Sequence, residues 1–143
     1  GEHGTEGLLT VAQEPRAVAG DQRRFGDRLF DSDVALQSTD VRCIQACQAC
    51  ALACNHCAAA CLREPGIEHM TRCIALDMDC AAMCQFAVGA MARLSEKAAD
   101  VCRLCAEFCD LCGAECRQHR ADHCQACAQA CQQCAMLCRE IVA

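Results

Sequence analysis

Residues 102–116 read CRLCAEFCDLCGAEC and residues 124–138 read CQACAQACQQCAMLC, so cysteines recur at alternating steps of three and four. Residues 47–61 carry the same spacing in CQACALACNHCAAAC. Steps of three and four place side chains along one stripe of an α-helix, where a bundle normally holds leucine and isoleucine. The spacing therefore predicts helices that turn a stripe of thiols toward a shared core.

The chain has nineteen cysteines among its 143 residues, and we expect all of them to be metal ligands. They are Cys43, Cys47, Cys50, Cys54, Cys57, Cys61, Cys73, Cys80, Cys84, Cys102, Cys105, Cys109, Cys112, Cys116, Cys124, Cys127, Cys131, Cys134 and Cys138. A stripe of sulfurs suits Cu(I), a soft ion that selects thiolate and thioether over oxygen donors. Counting ligands, with each thiolate free to bridge two ions, predicts on the order of 15–20 Cu(I) ions per chain.

Four helices are predicted, at about residues 38–63, 67–94, 95–119 and 122–141. The expected N-caps are Ser38, Thr39 or Asp40 for the first helix, Ser95 for the third and Asp122 for the fourth. Pro65-Gly66 should end the first helix. Short connections make neighbouring helices antiparallel, so the expected fold class is all-α: an antiparallel four-helix bundle with a cysteine-lined core over residues 39–143.

Residues 1–38 differ from the rest because they contain no cysteine and have mixed charge. We interpret them as an N-terminal extension that is either partly flexible or forms a short amphipathic helix over residues 21–36, built on Phe25, Leu29, Phe30 and Val34.

Composition excludes several classes of function. The formal charge is −6 and no lysine–arginine cluster is long enough for a nucleic-acid face. The sequence contains no uncharged apolar run of about 18 residues, which is the length needed to span a membrane. Thiols kept for metal indicate a reducing compartment, hence the cytoplasm. Residues 1–7 are polar and acidic, unlike a signal peptide, although Gly1 in place of Met leaves room for a removed export signal.

Several other donors lie on or near the stripes. Met70 and Met91 face inward on the second helix, where each is either a thioether ligand at a bundle end or a filler of gaps in the core, and Met70 is the candidate mouth ligand. Asp77 shares that face, and we expect it to pair with an arginine or to lie near the cluster in a structural role. His119 continues the third stripe and His123 precedes the fourth, so both are candidate ligands at the mouth of the bundle.

Alternative readings are a disulfide scaffold, a zinc or mixed soft-metal buffer, an iron–sulfur protein, a thiol–disulfide oxidoreductase and a copper chaperone. Cysteines at i and i+4 of one helix fit disulfide geometry poorly. Zinc prefers isolated tetrahedral sites, and iron–sulfur spacings are absent. An oxidoreductase needs one exposed, acidic thiol, and a chaperone needs one or two labile sites. The stripes of thiols are best explained by a non-enzymatic protein that stores Cu(I) for copper buffering and detoxification.

The sequence resembles the bacterial four-helix-bundle copper storage proteins, and it is closest to their cysteine-rich cytosolic branch. The resemblance is carried by RCIALDMDCAAMC at residues 72–84, CGAECRQH at 112–119 and HCQAC at 123–127, and it spans residues 43 to about 140. It implies a four-helix bundle filled with Cu(I) ions and assembled as a homo-tetramer. Outside that region, residues 8–11 (LLTV) are faintly similar to the short peptides that dock cargo inside encapsulin shells.

Overall fold

The computed structural model describes residues 36–143, which fold into four α-helices and contain no strand. The helices are α1 (Ser38–Cys61), α2 (Thr71–Ala92), α3 (Ala98–Arg117) and α4 (Asp122–Val142). The predicted all-α four-helix bundle is therefore confirmed. The short helix expected over residues 21–36 and the segment 8–11 lie outside the described residues, apart from residue 36.

The helices form a closed ring in which each packs against two neighbours. Helix α1 packs against α2 and α4, and α3 packs against the same two helices from the opposite side. Cys43 contacts Cys138 while Cys57 contacts Cys124, so α1 and α4 run antiparallel. Helices α2 and α3 run antiparallel in the same way. We call the end with the α1–α2 and α3–α4 connections the mouth end and the opposite end the far end.

The start of α1 differs from the prediction. The N-cap is Gln37, and the predicted caps Ser38, Thr39 and Asp40 all lie inside the first turn. Asp40 still stabilises this end, because its Oδ2 accepts a hydrogen bond from the Gln37 backbone N–H at 3.1 Å. Its negative charge also faces the positive end of the helix dipole.

The other boundaries shift for similar local reasons. Gly66 adopts φ +73°, and residues 67–69 form a 3₁₀ turn, so α2 begins at Thr71 and not near Ile67. Ser95 does not cap α3 directly: its Oγ accepts the Lys97 backbone N–H at 3.1 Å and closes the turn before the helix begins. Asp122 is the first residue of α4 and is not its cap.

Helix α2 is the most apolar of the four. It is long and apolar enough by composition to cross a membrane. One face nevertheless packs cysteines and alanines into the bundle. The opposite face leaves Met78 and Phe86 59% and 56% exposed, so large apolar side chains also lie on the outer surface of α2.

Gly113 allows α3 and α4 to approach closely. A Cβ atom at this position would lie 3.2 Å from the Cβ of Cys131 and 3.7 Å from the carbonyl oxygen of Ala128. We expect Gly113→Val to lower the free energy of unfolding by about 1–3 kcal/mol, because its methyl groups would force the helices apart. Urea unfolding measures this loss. The control is Ala114→Val at the neighbouring exposed position, and equal losses in the two variants would contradict the close-approach explanation.

Candidate metal centre

All nineteen cysteines are free thiols, and each side chain is 0 or 1% exposed. The alternating spacing explains this burial, because every cysteine of a stripe returns to the same side of its helix. Alanines such as Ala46, Ala106 and Ala128 fill much of the space between the stripes. The core therefore consists mainly of short side chains, and its dominant polarizable atom is sulfur.

Sulfurs within 4.0 Å of one another form three groups along the bundle. The far group consists of Cys43, Cys47, Cys84, Cys105, Cys134 and Cys138. The central group consists of Cys50, Cys54, Cys73, Cys80, Cys109, Cys112, Cys116, Cys127 and Cys131. The mouth triangle consists of Cys57, Cys61 and Cys124. The remaining thiol, Cys102, is buried beside Cys43 and Cys138.

The central group joins all four helices at the bundle axis. The sulfur of Cys50 on α1 lies 3.9 Å from Cys54, Cys80 and Cys109, and 3.8 Å from Cys131. Its contact with Cys109 crosses the diagonal of the bundle from α1 to α3. A diagonal contact between two short side chains requires the helices to pack closely, so the thiols form one continuous column and not four separate stripes.

The column is also continuous between groups. Cys84 of the far group and Cys50, Cys80 and Cys109 of the central group have all four sulfurs within 4.8 Å of one another. Further quartets of this kind include Cys54, Cys112, Cys127 and Cys131. Such quartets are compact enough for soft ions to be shared between thiolates, as Cu(I) coordination requires.

Comparison with known proteins identifies the family to which this four-helix bundle belongs. The family model described as copper storage protein matches residues 36–143, which is the whole described bundle. The chain belongs to the copper storage protein family. Membership confirms the resemblance that the cysteine motifs indicated, and the relatives reproduce the bundle.

Two copper storage proteins of known structure are close relatives. The Cu(I)-bound BsCsp3 of Bacillus subtilis is 47% identical, covers 74% of this chain and 100% of its own, and superposes with a TM-score of 0.71. Ccsp of Streptomyces lividans, described as cytosolic and solved with 10 copper equivalents, is 39% identical over 73% of this chain and 83% of its own, with a TM-score of 0.71. An uncharacterized cysteine-rich B. subtilis protein, YhjQ, is 50% identical over 73 residues, which is 51% of this chain and 68% of that protein.

Among residues 36–143, the copper storage core contains one fully buried carboxyl group, that of Asp77. Its Oδ1 accepts from the thiols of Cys112, Cys127 and Cys116 at 3.1, 3.3 and 3.5 Å. Its Oδ2 lies 3.8 Å from the sulfur of Cys73. Asp77 forms no ion pair with an arginine among the described residues, so of the two expectations the position near the cluster is the correct one.

Burial raises the pKa of Asp77 from 3.8 to about 8, and the hydrogen bond from Cys112 opposes this rise without overcoming it. A carboxylate taken out of water loses its hydration, and no cation replaces it here. The carboxyl group is therefore largely protonated at neutral pH. It forms a polar point in the middle of the copper storage core.

The thiols of the mouth triangle are also protonated in the metal-free protein. Burial is the largest cause that raises the pKa of Cys61, to about 11, and it raises the pKa of Cys124 as well. A metal ion must displace these protons before it gains thiolate ligands. Metal uptake at this end of the copper storage bundle is thus coupled to proton release.

The two candidate histidines lie at the mouth end in different surroundings. His119 Nε2 is 2.8 Å from Glu115 Oε2, and the other oxygen of Glu115 is 3.6 Å from Arg72 Nε. His123 instead has a ring nitrogen within 4.8 Å of the three sulfurs of the mouth triangle. The structure therefore places His119 in a polar network and His123 among the thiols.

Met70 is 7% exposed and ends the 3₁₀ turn immediately before α2, where it joins the buried core. Met91, at the far end of α2, is 1% exposed. Sequence reasoning placed both methionines inward but missed the acidic partners Glu64 and Glu115. Their signal was present only as a carboxylate four residues before His119 and another just before Pro65.

Proposed function

We propose that this chain stores Cu(I) through thiolates inside the bundle, for copper buffering and detoxification. The observation that carries the proposal is the continuous column of buried thiols, with neighbouring sulfurs 3.5–4.0 Å apart. Soft thiolates select Cu(I), and each can bridge two ions. We assign all nineteen cysteines as ligands, with a capacity on the order of 15–20 Cu(I) per chain.

The arrangement of the thiols favours storage over the alternatives. A chaperone requires one or two accessible sites, whereas every thiol here is buried. A thiol–disulfide oxidoreductase requires an exposed thiol of lowered pKa beside its partner. We therefore propose a non-enzymatic role. Free thiols throughout the core also fit a reducing compartment, and we place the protein in the cytoplasm, as for the cytosolic relative from S. lividans.

We assign entry of copper to the mouth end. His123 lies beside the mouth triangle, and His119 and Met70 lie at the same end of the bundle. Imidazole and thioether are weaker donors for Cu(I) than thiolate, so they suit transient binding on the way into the core. In this proposal His119, His123 and Met70 pass ions to the thiols and do not hold the stored metal.

We also propose that the chain assembles as a homo-tetramer. The outward face of α2, with Met78 and Phe86 more than half exposed, is an apolar surface that a second copy would cover. A separate proposal concerns residues 8–11, whose sequence suits docking into an encapsulin shell. Co-expression with a shell protein, with and without these four residues, tests that docking.

The central experiment is anaerobic titration of the fully reduced protein with Cu(I) against a chromophoric chelator. Gel filtration with light scattering and metal analysis then follows. We expect some fifteen or more ions to remain bound per chain, on a particle with the mass of a tetramer. Retention of one or two ions would contradict storage and favour a chaperone. Retention of many ions on a monomer would contradict the assembly alone.

A further inference from the structure

We propose that the mouth triangle and His123 together form a tetrahedral site for one divalent zinc ion per chain. This inference goes beyond copper storage and does not depend on it, because it concerns the protein before any Cu(I) is present. The four residues come from the end of α1 and the start of α4, which meet at the mouth end. Cys57, Cys61 and Cys124 supply thiolates, and His123 supplies the fourth donor.

The sulfur positions match a zinc tetrahedron. All three edges of the mouth triangle, Cys57–Cys61, Cys57–Cys124 and Cys61–Cys124, measure 3.8 Å. A regular tetrahedron built on Zn–S bonds of about 2.3 Å has edges of about 3.8 Å. The thiols therefore need little rearrangement to bind zinc, so the site is pre-organised.

His123 supplies a donor that the described residues leave unused. Its Nε2 atom is buried and has no hydrogen-bond partner in this part of the chain, and its side chain is 15% exposed. The nearest carboxylate oxygen is Glu64 Oε1, at 3.6 Å from Nε2. A buried imidazole nitrogen without a partner is costly, and metal ligation satisfies the ring.

The mouth triangle is better suited to Zn²⁺ than the deeper quartets. Its three sulfurs lie 3.8 Å from one another at one end of the column, whereas the sulfur of Cys50 in the central group lies within 4.0 Å of four other sulfurs. Three thiolates, one neutral imidazole and Zn²⁺ carry a net charge of −1. Four thiolates around Zn²⁺ in the central group would carry −2 in a fully buried position, at a larger desolvation cost. Cys₃His is also an established zinc ligand set.

Copper and zinc then compete for the same entrance. Thiolates favour Cu(I), so we expect Cu(I) to expel the zinc ion when it loads the core. Until then, zinc occupies three thiols at the mouth end of the column.

Cobalt(II) is the spectroscopic probe for this site, because it adopts the same tetrahedral coordination and its visible bands report thiolate ligation. Reduced, metal-free full-length protein is titrated anaerobically with Co²⁺ and then with Zn²⁺. We expect one Co²⁺ per chain with a tetrahedral thiolate spectrum, displaced by one equivalent of Zn²⁺. His123→Ala should weaken Co²⁺ binding more than about 100-fold, because loss of a direct ligand exceeds the 10–100-fold cost of losing a supporting residue. The control is His56→Ala, an exposed histidine on α1.

Other results would overturn the proposal. Binding of several Co²⁺ ions, or none, contradicts a single pre-organised site. Equal affinity of His123→Ala and His56→Ala contradicts a role for the imidazole. A further variant, Cys54→Ser in the central group, should leave the cobalt spectrum unchanged. Loss of the tetrahedral cobalt spectrum in this variant would mean that the ion binds in the central group and not at the mouth triangle. Helical circular dichroism of each variant checks folding. Failure of Cu(I) storage would appear as low copper capacity with cobalt binding intact, so the two proposals fail separately.

Discussion

Loading the metal-free protein with Cu(I) is expected to raise the midpoint of thermal unfolding by more than about 20 °C. The core explains the size of the effect, because it is built mainly of cysteine and alanine and buries few large apolar side chains. Ligands that bind only the folded state stabilise it by about 2.7 kcal/mol per site at 100 times the dissociation constant. The stabilisation from several such sites exceeds the free energy with which thiols of the unfolded chain still bind Cu(I). A stabilisation of about 1 kcal/mol shifts the midpoint of thermal unfolding by 4–8 °C for a domain of this size.

Helical circular dichroism against temperature measures this shift, with metal-free and copper-loaded protein at the same concentration. We expect the metal-free protein to be helical at low temperature, since free cysteine packs as a small hydrophobe. Mg²⁺ is the control ion, because it prefers oxygen ligands and should leave the midpoint unchanged. A copper-induced rise of only a few degrees would mean that most of the thiols do not bind Cu(I) in the folded state.

Replacing Asp77 by asparagine should stabilise the metal-free protein at neutral pH by about 4 kcal/mol. Burial raises the pKa of this carboxyl group to about 8 in the folded protein, against 3.8 in the unfolded chain. Between these values the folded state holds a proton that the unfolded state has lost. The contribution of Asp77 to stability is thus complete below about pH 4 and is lost as the pH rises through about 8. Asparagine has the same shape and does not titrate.

Urea unfolding across about pH 5 to pH 8 tests this prediction. The wild-type free energy of unfolding should fall across the range relative to Asp77→Asn, and the two curves should converge toward acid pH. Asp79→Asn, an exposed carboxylate on the same helix, is the matched control and should follow the wild type. Parallel curves for the wild type and Asp77→Asn would show that the carboxyl group is ionised in the folded core.

The bundle could be predicted from sequence because its signal is repetitive. One cysteine spacing recurs in three helices, and a stripe of that period can face a core only from a helix. The caps could not be predicted as well, since a serine or aspartate marks a helix start only to within a few residues. Ser95 illustrates this uncertainty: it stabilises the turn before α3 and lies outside the helix.

The candidate site was likewise only partly predictable from the sequence. The sequence identified the thiols and their inward direction, because direction follows from period alone. It could not give the contacts between helices, which depend on how far each helix is shifted along its neighbours. Asp77 could therefore be expected to lie near the cluster, but not to accept from Cys112, Cys116 and Cys127. For the same reason the 3.8 Å mouth triangle is a property of the packed structure.

Complete burial of the thiols protects the cysteines of this chain from reaction with reagents in solvent. A thiol reagent in solvent meets no exposed thiol on the described bundle, so alkylation of each cysteine must wait for the helices to separate locally. The reaction rate of a given cysteine therefore records how often its stretch of helix opens, as amide exchange does for backbone hydrogens. Nineteen such reporters, most of them three or four residues from the next, would map the opening motions of the bundle along its whole length.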